Sequence, residues 1–210
     1  MAEPLIVIGA GGFAREALDV LSAMNDDRFD VMGVIDDSPS ELNLERLVTR
    51  GIPYLGVVTP EVLPRARTWV VVAVGSPALR RVLWRRFKDY PVRMVTLAHP
   101  RAEIGSQCEI GIGAVICAGV SVGTNVILGA GVHLNANVTI GHDTVLRDFV
   151  SVNPAATISG DCIVNDGVIV GAGAVILQGL TVSSSAVIGA GAVVVRDVPA
   201  GRIVKGVPAR

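Results

Sequence analysis

The C-terminal half of the chain repeats every six residues, and this period most restricts the possible fold. From Ile104 to Val194 every sixth residue is Ile, Leu or Val, sixteen in succession without an insertion. The residue four positions further on in each hexad, from Cys108 to Val198, is always small or apolar. A period of six fits neither a heptad nor the alternation of a lone sheet strand. It indicates a parallel β-helix built from short flats and corners.

In such a β-helix the aliphatic side chains of the repeat stack inward, coil on coil, at the spacing of neighbouring strands, about 4.8 Å. Gly follows the repeat position in seven of the sixteen hexads. We expect Gly, Asn and Asp to supply the unusual backbone angles that tight corners need. The repeat therefore predicts an aliphatic prism over residues 102–198, followed by a basic tail at 199–210.

Residues 1–101 have a different pattern, in which strands alternate with helices. Apolar runs predict strands at 5–10, 29–38, 69–76 and 93–98. Helical spacing of apolar residues predicts helices at 12–24 and 77–88. The second helix has Pro77 near its start, and its predicted apolar face holds Leu79, Val82, Leu83 and Phe87. This alternation predicts an α/β domain with a parallel sheet, and the abrupt change in composition at 97–105 marks its boundary.

Charge and cysteine content exclude several classes of protein. Residues 1–101 hold 13 Lys/Arg and 12 Asp/Glu, whereas residues 102–195 hold one basic residue, Arg147, and six acids. With a net charge of −1, the composition gives no support for nucleic-acid binding. Three cysteines argue against a disulfide framework, and the absence of a Cys/His cluster predicts no metal site.

The N-terminal sequence MAEPLIVIGAGG has no basic region before its apolar run, and that run is only as long as a strand. We therefore expect no signal peptide. No stretch provides the roughly 18 uncharged apolar residues of a membrane span without interruption by Gly and turn residues. These features predict a cytoplasmic protein without a membrane partner.

The segment TIGHDTV, at 139–145, places a histidine beside an aspartate in a region otherwise poor in ionisable groups. His142 follows Ile140 by two residues, on a corner, and should point outward. A lone outward histidine is usually a surface residue. The adjacent Asp143 favours a functional interpretation, because a carboxylate orients the imidazole and strengthens it as a base. Acyl transfer to an amine or a hydroxyl needs such a base.

The first predicted strand is followed by GAGGFA, at 9–14. Glycines at a strand–helix turn let the backbone approach a phosphate, although the same motif also forms turns without a ligand. Asp36 and Asp37 end the second strand, where a dinucleotide fold places its ribose-binding acid. A dinucleotide site is therefore an open alternative, in a domain about half the usual length. Arg80, early in the second helix, faces either a phosphate or solvent.

Six segments occur in the order LIVIGAGGFAREALDVL, GVIDDS, VAVGSPALR, LAHPRAEIG, GHD and VKGVPAR. In this combination the whole chain resembles the sugar acyltransferase family that includes the bacillosamine and perosamine N-acetyltransferases and the sialic acid O-acetyltransferases. The resemblance implies a Rossmann-like βαβ domain followed by a left-handed parallel β-helix with three hexads per coil. It also implies acetyl-CoA as co-substrate and a homotrimer with active sites between neighbouring subunits.

The resemblance assigns roles to particular residues. His142 would be the catalytic base, Asp143 would assist it, and Asn135 would line the same pocket. The first domain would bind the nucleotide of a nucleotide-linked sugar through Gly11, Gly12, Phe13, Asp36, Asp37 and Gly75, with Arg80 facing a phosphate. Contacts with acetyl-CoA would come from Ser151, Gly160, Ala172, Ala190 and Lys205. Some relatives have His where this chain has Phe13 and Ser151.

The resemblance thus implies an acetyl-CoA-dependent N-acetyltransferase acting on a nucleotide-linked amino sugar, such as a 4-amino-4,6-dideoxy sugar, in polysaccharide biosynthesis. Two alternatives stay open. One is O-acetylation of a sugar hydroxyl, as in the sialic acid branch. The other is a non-catalytic trimeric scaffold that binds a nucleotide sugar. The basic residues near the C-terminus suit either the phosphates of coenzyme A or a polar end cap.

Overall fold

The computed structural model of the chain describes residues 2–59, 68–87 and 90–210. The chain divides into two compact units, Met1–Leu97 and Ala98–Arg210. Lys88, at the end of the predicted second helix, lies outside the described residues. Within the described ranges, every helix falls short of the length and hydrophobicity of a bilayer-spanning segment.

The first unit is a parallel α/β domain. Its elements are β1 (Glu3–Ile8), α1 (Gly12–Met24), β2 (Phe29–Ile35), α2 (Glu41–Thr49), β3 (Thr68–Val72), α3 (Pro77–Arg86) and β4 (Val92–Met94). The strands form one sheet in the order β2-β1-β3-β4, in which Ile8 pairs with Ile35 and Val72. Because the central strands are buried on both faces, they appear in the sequence as continuous apolar runs. The predicted α/β class is confirmed.

Two elements of this unit differ from the sequence prediction. The helix α2 was not predicted, because Leu47 is the one residue of it that is buried. Its start is marked by Ser40, whose Oγ accepts a hydrogen bond from Asn43 N at 3.3 Å. The predicted strand at 93–98 is two strands, because β4 ends at Met94 and β5 (Leu97–Ala98) belongs to a different sheet.

The predicted apolar face of α3 is correct in part. Phe87 is buried and Leu83 packs against the core, but Leu79 and Val82 are 49% and 60% exposed, and Pro77 and Arg80 are buried in their place. Aliphatic spacing did not fully identify the inward face because an arginine occupies its centre. Hydrogen bonds from Arg80 to backbone carbonyls, described below, let a charged residue take that place.

The second unit is a stack of two-residue strands. They are β5 (Leu97–Ala98), β6 (Glu103–Ile104), β7 (Glu109–Ile110), β8 (Val115–Ile116), β9 (Ser121–Val122), β10 (Ile127–Leu128), β11 (His133–Leu134), β12 (Thr139–Ile140), β13 (Val145–Leu146), β14 (Ser151–Val152), β15 (Thr157–Ile158), β16 (Ile163–Val164), β17 (Ile169–Val170), β18 (Val175–Ile176), β19 (Thr181–Val182), β20 (Val187–Ile188), β21 (Val193–Val194) and β22 (Ile203–Val204).

These strands form three parallel sheets, visited in turn by the chain. Sheet I has the order β7-β10-β13-β16-β19, sheet II β6-β9-β12-β15-β18-β21, and sheet III β5-β8-β11-β14-β17-β20-β22. Each strand from β6 to β18 pairs with the strand 18 residues further on, as Ile127 does with Val145. A coil therefore contains three hexads, as the resemblance implied. The unit is the predicted left-handed parallel β-helix of hexapeptide repeats.

The repeat row forms the core of the prism. Its residues are buried along the chain from Ile116 to Val194, and only the first two, Ile104 and Ile110, are more than a third exposed. These two lie in the first coil, at one end of the stack. Full burial of a Val, Leu or Ile side chain contributes about 1.5–3 kcal/mol, so the row is the main stabilising feature of this unit.

Corners recur with the same period as the core. Every sixth residue from Gln107 to Gly191 has a positive φ, and the residues other than Gly include Asn125, Asp143 and Asp161. Gly, Asn and Asp occupy most of these corners, as expected, but Gln107, Phe149, Ala155 and Ser185 adopt the same angles. The glycines that follow the repeat position serve a different purpose, which is close approach. A Cβ on Gly141 would lie only 2.4 Å from the backbone N of Gly160 in the next coil.

Residues 199–210 were predicted to be a tail. They instead form the closing part of the prism. They contribute β22, and buried Ala209 joins the aliphatic core. Ala209 N donates to Val193 O at 2.8 Å, and Val193 N donates to Gly206 O at 3.0 Å. The segment is basic outside and apolar inside because it must cover the last rungs of the core.

Candidate active site

His142 lies on the corner between β12 of sheet II and β13 of sheet I. Its side chain is 60% exposed, so it points outward as expected. Its Nδ1 lies 2.7 Å from Oδ2 of Asp143, whose own side chain is 44% exposed. Adjacent residues can pair in this way because Asp143 is the positive-φ residue of the corner, with φ 57°.

The protonation state of Asp143 determines which imidazole nitrogen is free. Asn125 Nδ2 donates to Asp143 Oδ1 at 2.9 Å, and this bond, together with the bond to His142, holds the pKa of Asp143 below its ordinary value. Asp143 is therefore an ionised acceptor at neutral pH. The hydrogen of the His142–Asp143 bond must then belong to Nδ1, which leaves the Nε2 lone pair free to accept a proton.

Gly160 lies against the imidazole, one coil further along the prism. A Cβ at this position would lie 2.6 Å from Cε1 and 2.7 Å from Nε2 of His142. Any larger residue would therefore displace the ring. Gly160 was predicted to contact acetyl-CoA, but in the single chain it is buried and lies against the His142 ring.

Sequence reasoning missed two residues of this site, Asn125 and Asp161. They precede and follow Asp143 by one coil of 18 residues and stand at the same corner. Counting 18 residues from Asp143 would have identified both. His142, Asp143 and Asp161 each offer a polar atom within 4.8 Å of the others. Exposed acidic groups commonly cluster without an ion, so this geometry alone does not assign a metal.

Asn135 does not line the surface around His142 in the single chain. Its side chain is nearly buried, and its Nδ2 donates to Val152 O at 2.9 Å inside the prism. It follows β11 of sheet III, on the corner between sheets III and II, whereas His142 follows β12. The amide satisfies a backbone carbonyl of the next coil, which explains a polar residue at this position.

The remaining predicted acetyl-CoA contacts lie apart from His142. Ser151, in β14, is only 3% exposed. Ala172, Ala190 and Lys205 are exposed, and each follows a strand of sheet III by two residues or fewer. They therefore lie in one column along the corner between sheets III and II. A single chain does not bring these residues together with the imidazole.

The first unit contains a cavity of about 370 Å³ at the carboxyl ends of β1, β2 and β3. It is lined by Ile8, Gly9, Asp36, Asp37, Ser38, Val58, Val74, Leu79 and Leu83. Because β2 and β3 flank β1 on opposite sides, the cavity lies at the switch point where open α/β sheets bind ligands. Of the predicted nucleotide contacts, Asp36 and Asp37 line it, but Gly11, Gly12, Phe13 and Gly75 do not.

The two acids of this cavity also organise the surrounding loops. Asp36 Oδ2 accepts from Ala10 N at 2.7 Å, which ties the glycine-rich turn to the end of β2. Asp37 Oδ1 accepts from Val58 N at 3.0 Å, and Asp37 Oδ2 pairs with Arg86. The carboxylates are therefore held in fixed positions at the rim of the cavity.

Arg80 does not face solvent. It is fully buried, and Nη1 donates to Val74 O at 2.7 Å and Gly75 O at 3.2 Å. Burial lowers the pKa of Arg80 to about 9, so the guanidinium stays charged at neutral pH. Its observed role is to brace the loop that joins β3 to α3, behind the cavity.

The chain thus combines a parallel α/β unit with a hexad prism that carries an exposed imidazole on an outer corner. Residues 4–87 match the model of the PglD N-terminal domain. Residues 101–136 match the model of the bacterial transferase hexapeptide, six repeats. The predicted resemblance is confirmed, and the chain is an acyltransferase. Among curated proteins, none is significantly similar to the chain.

Solved structures extend this likeness over the whole chain. The acetyltransferase domain of PglB from Neisseria gonorrhoeae FA1090 is 29% identical, with a TM-score of 0.83, over 99% of this chain and 98% of that one. A mutant of perosamine N-acetyltransferase from Caulobacter crescentus is 27% identical, with a TM-score of 0.87, over 99% and 95%. WeeI from Acinetobacter baumannii AYE is 28% identical, with a TM-score of 0.85, over 98% of both chains.

Proposed function

We propose that the protein is an acetyl-CoA-dependent N-acetyltransferase acting on a nucleotide-linked amino sugar, such as a 4-amino-4,6-dideoxy sugar. One observation carries the proposal. His142 has its Nδ1 held by an ionised Asp143 at 2.7 Å and its Nε2 free on an exposed corner. This is the arrangement of a general base ready to take a proton from an attacking amine.

Two similar proteins support an amino sugar as the acceptor and acetyl-CoA as the donor. The PglB domain has been crystallised in complex with acetyl coenzyme A, and the perosamine N-acetyltransferase in complex with CoA and GDP-perosamine. Both cover nearly the whole of this chain. We extend the same pair of substrate classes to this protein, whose product would be an acetamido sugar made in the cytoplasm for polysaccharide biosynthesis.

In the proposed reaction the sugar amine attacks the thioester carbonyl of acetyl-CoA. Nε2 of His142 takes the proton that the nitrogen loses as the C–N bond forms. The C–S bond then breaks, and the proton passes from the imidazolium to the departing sulfur. Asp143 keeps Nδ1 protonated and stabilises the imidazolium, so the base returns to its starting tautomer after each turnover.

The cavity of the first unit would hold the nucleotide. Its wall is aliphatic, from Val58, Val74, Leu79 and Leu83, which suits the face of a base. Asp36, fixed by Ala10 N, offers carboxylate oxygens to the hydroxyl groups of a ribose. Gly11, Gly12, Phe13 and Gly75 belong to the neighbouring turns and remain proposed contacts of the phosphates and sugar.

Acetyl-CoA would follow the corner column of Ala172, Ala190 and Lys205, where small exposed residues leave room for the pantetheine arm. Three arginines, Arg196, Arg202 and Arg210, line a cavity of about 260 Å³ at the closing end of the prism. Their positive charge would attract the phosphates of coenzyme A.

We also propose a homotrimer, because a single chain separates the acetyl-CoA column from His142. Support comes from the outward side of sheet I, where Ile127 and Ile163 are exposed and Val145 between them is half-buried. An aliphatic column of this kind is typical of a face that identical subunits bury. It begins beside the corner of His142, so a neighbouring subunit packed there would complete the site.

The direct test offers labelled acetyl-CoA together with nucleotide-linked 4-amino sugars and their 4-hydroxy counterparts. The proposal expects label on the amine. Label on the hydroxy sugar alone would indicate O-acetylation, and nucleotide binding without CoA release would indicate a scaffold. His142→Gln should abolish transfer, whereas the control His99→Gln, in a histidine outside this site, should not. Normal transfer by His142→Gln would refute the proposed mechanism.

A further inference from the structure

The corner that follows His142 by one coil contains a second acid beside the imidazole. Asp161 comes directly after Gly160, the residue against which the ring lies. Its backbone N donates to His142 O at 2.9 Å, so the two corners are tied together. One carboxylate oxygen of Asp161 lies within 4.8 Å of an imidazole nitrogen and of an Asp143 oxygen.

The Asp161 carboxylate is available to act on the imidazole. The side chain is exposed, and none of the ion pairs within 4 Å among the described residues involves it. Asp143 differs, because its Oδ1 accepts from Asn125 and its Oδ2 contacts His142. Within this distance and these residues, the Asp161 carboxylate therefore has no positively charged partner.

The backbone at this corner does not by itself require a carboxylate. Asp161 has φ 57°, an angle that Gly and Asn adopt equally well, and Asn occupies the same kind of corner at Asn125. An Asn at position 161 would satisfy the backbone. The charge is therefore the feature that distinguishes Asp161 from a purely structural corner residue.

We propose that Asp161 is a positioning residue of the acyl transfer, a second carboxylate that acts through His142. It would stabilise the imidazolium during the interval when the amine proton is on Nε2, and it would keep the ring against Gly160. Two carboxylates within 4.8 Å of one another repel each other until a cation forms beside them. Protonation of the ring relieves that repulsion, so the pair favours proton transfer from the amine.

This inference rests on the proposed general-base role of His142, and its test separates the two. The parent chain is compared with Asp161→Asn, His142→Gln and the control Asp166→Asn. Asp166 lies at a corner between sheets I and III, where its Oδ1 accepts a hydrogen bond from Asp148 N. It has no part in the site. For each variant, kcat/KM is measured from pH 5 to 9 with the 4-amino sugar, together with KM for acetyl-CoA and the melting temperature.

For Asp161→Asn we expect the alkaline plateau of kcat/KM to fall roughly twofold to threefold, because the base becomes weaker. The acid limb should move about half a pH unit to lower pH, because less negative charge surrounds the ring. KM for acetyl-CoA and the melting temperature should be unchanged, and Asp166→Asn should match the parent throughout.

If the acid limb of the kcat/KM profile stays in place in Asp161→Asn, the inference is overturned, whether or not the plateau falls. A residue with a purely structural role would leave the acid limb unmoved. Loss of activity in His142→Gln alongside that result would leave the proposed function intact. Undiminished activity in His142→Gln would instead remove the proposed function, and the inference with it.

Discussion

The imidazole of His142 rests on Gly160, one coil away along the prism, with its Cε1 only 2.6 Å from where a Cβ would be. The contact joins residues 18 positions apart, so the geometry of the candidate base depends on correct stacking of two coils. The absence of a side chain at position 160 thus has a functional consequence as well as a steric one.

Gly160→Ala should inactivate the enzyme without unfolding it. The backbone angle of Gly160 is not in the positive-φ region, so Ala is compatible with the main chain, but its methyl group must push the ring aside. A displacement of about 1 Å can cost about 100-fold in rate, which is the loss of kcat/KM that we expect. Ser159→Ala is the neighbouring control and should keep the parent rate. Parent-like kinetics in Gly160→Ala would show that the ring position is unimportant.

Asn125→Gly should raise the pKa of Asp143 toward its ordinary value, because the Asn125 amide is the largest cause of its depression. A depressed carboxyl pKa stabilises the folded state above the unfolded pKa of 3.8, and this contribution is lost as pH falls through the folded pKa. The variant should therefore lose less stability on acidification. Carbon-detected NMR titration of the Asp143 carboxyl measures the change directly. Asn137→Gly, at another positive-φ corner, is the control and should leave this titration unaltered.

Ile158→Ala should destabilise the prism by about 2–5 kcal/mol, since it leaves a cavity in a fully buried rung. Urea unfolding followed by circular dichroism gives the free energy of unfolding. Ile112→Ala removes the same atoms from a side chain that is mostly exposed, and should change stability by no more than about 0.5 kcal/mol. Equal losses in the two variants would contradict the inward assignment of the repeat row.

Arg80→Met should loosen the loop after β3 and weaken nucleotide binding. Removal of the guanidinium leaves the carbonyls of Val74 and Gly75 without this donor, at a cost of about 1–3 kcal/mol for a buried polar group. Arg85→Met, on the exposed side of α3, is the control. Calorimetry with UDP-, GDP- and dTDP-sugars measures the affinity. Unchanged binding in a folded Arg80→Met variant would mean that this loop does not form the nucleotide site.

Ile127→Glu combined with Ile163→Glu should convert the proposed trimer to monomers. Both side chains are exposed on sheet I, and burying two carboxylates in a subunit interface is unfavourable. Sedimentation velocity reports the oligomeric state. Acetyl transfer should be lost while nucleotide binding by the first unit persists, whereas Thr157→Glu on sheet II should stay trimeric. A fully active double variant would show that one chain contains the whole site.

Counting along the chain predicted a large part of this protein. The unbroken hexad row identified the β-helix and its inward side chains, because one period sets both the backbone path and the stacking. The same counting put His142 on an outer corner, and α1 was predicted with its observed bounds. These features are local or strictly periodic, so the sequence contains the information that specifies them.

What depended on contacts between distant segments was missed or mispredicted. Arg80 is buried because carbonyls of the preceding loop accept its hydrogen bonds, and residues 199–210 close the prism because its last rungs need a cover. The proximity of Gly160, Asn125 and Asp161 to the His142–Asp143 pair follows from the 18-residue coil. The sequence alone determined the period and the chemical groups available. Only the tertiary structure decided which groups meet, because stacking brings together residues that lie a full coil apart in the chain.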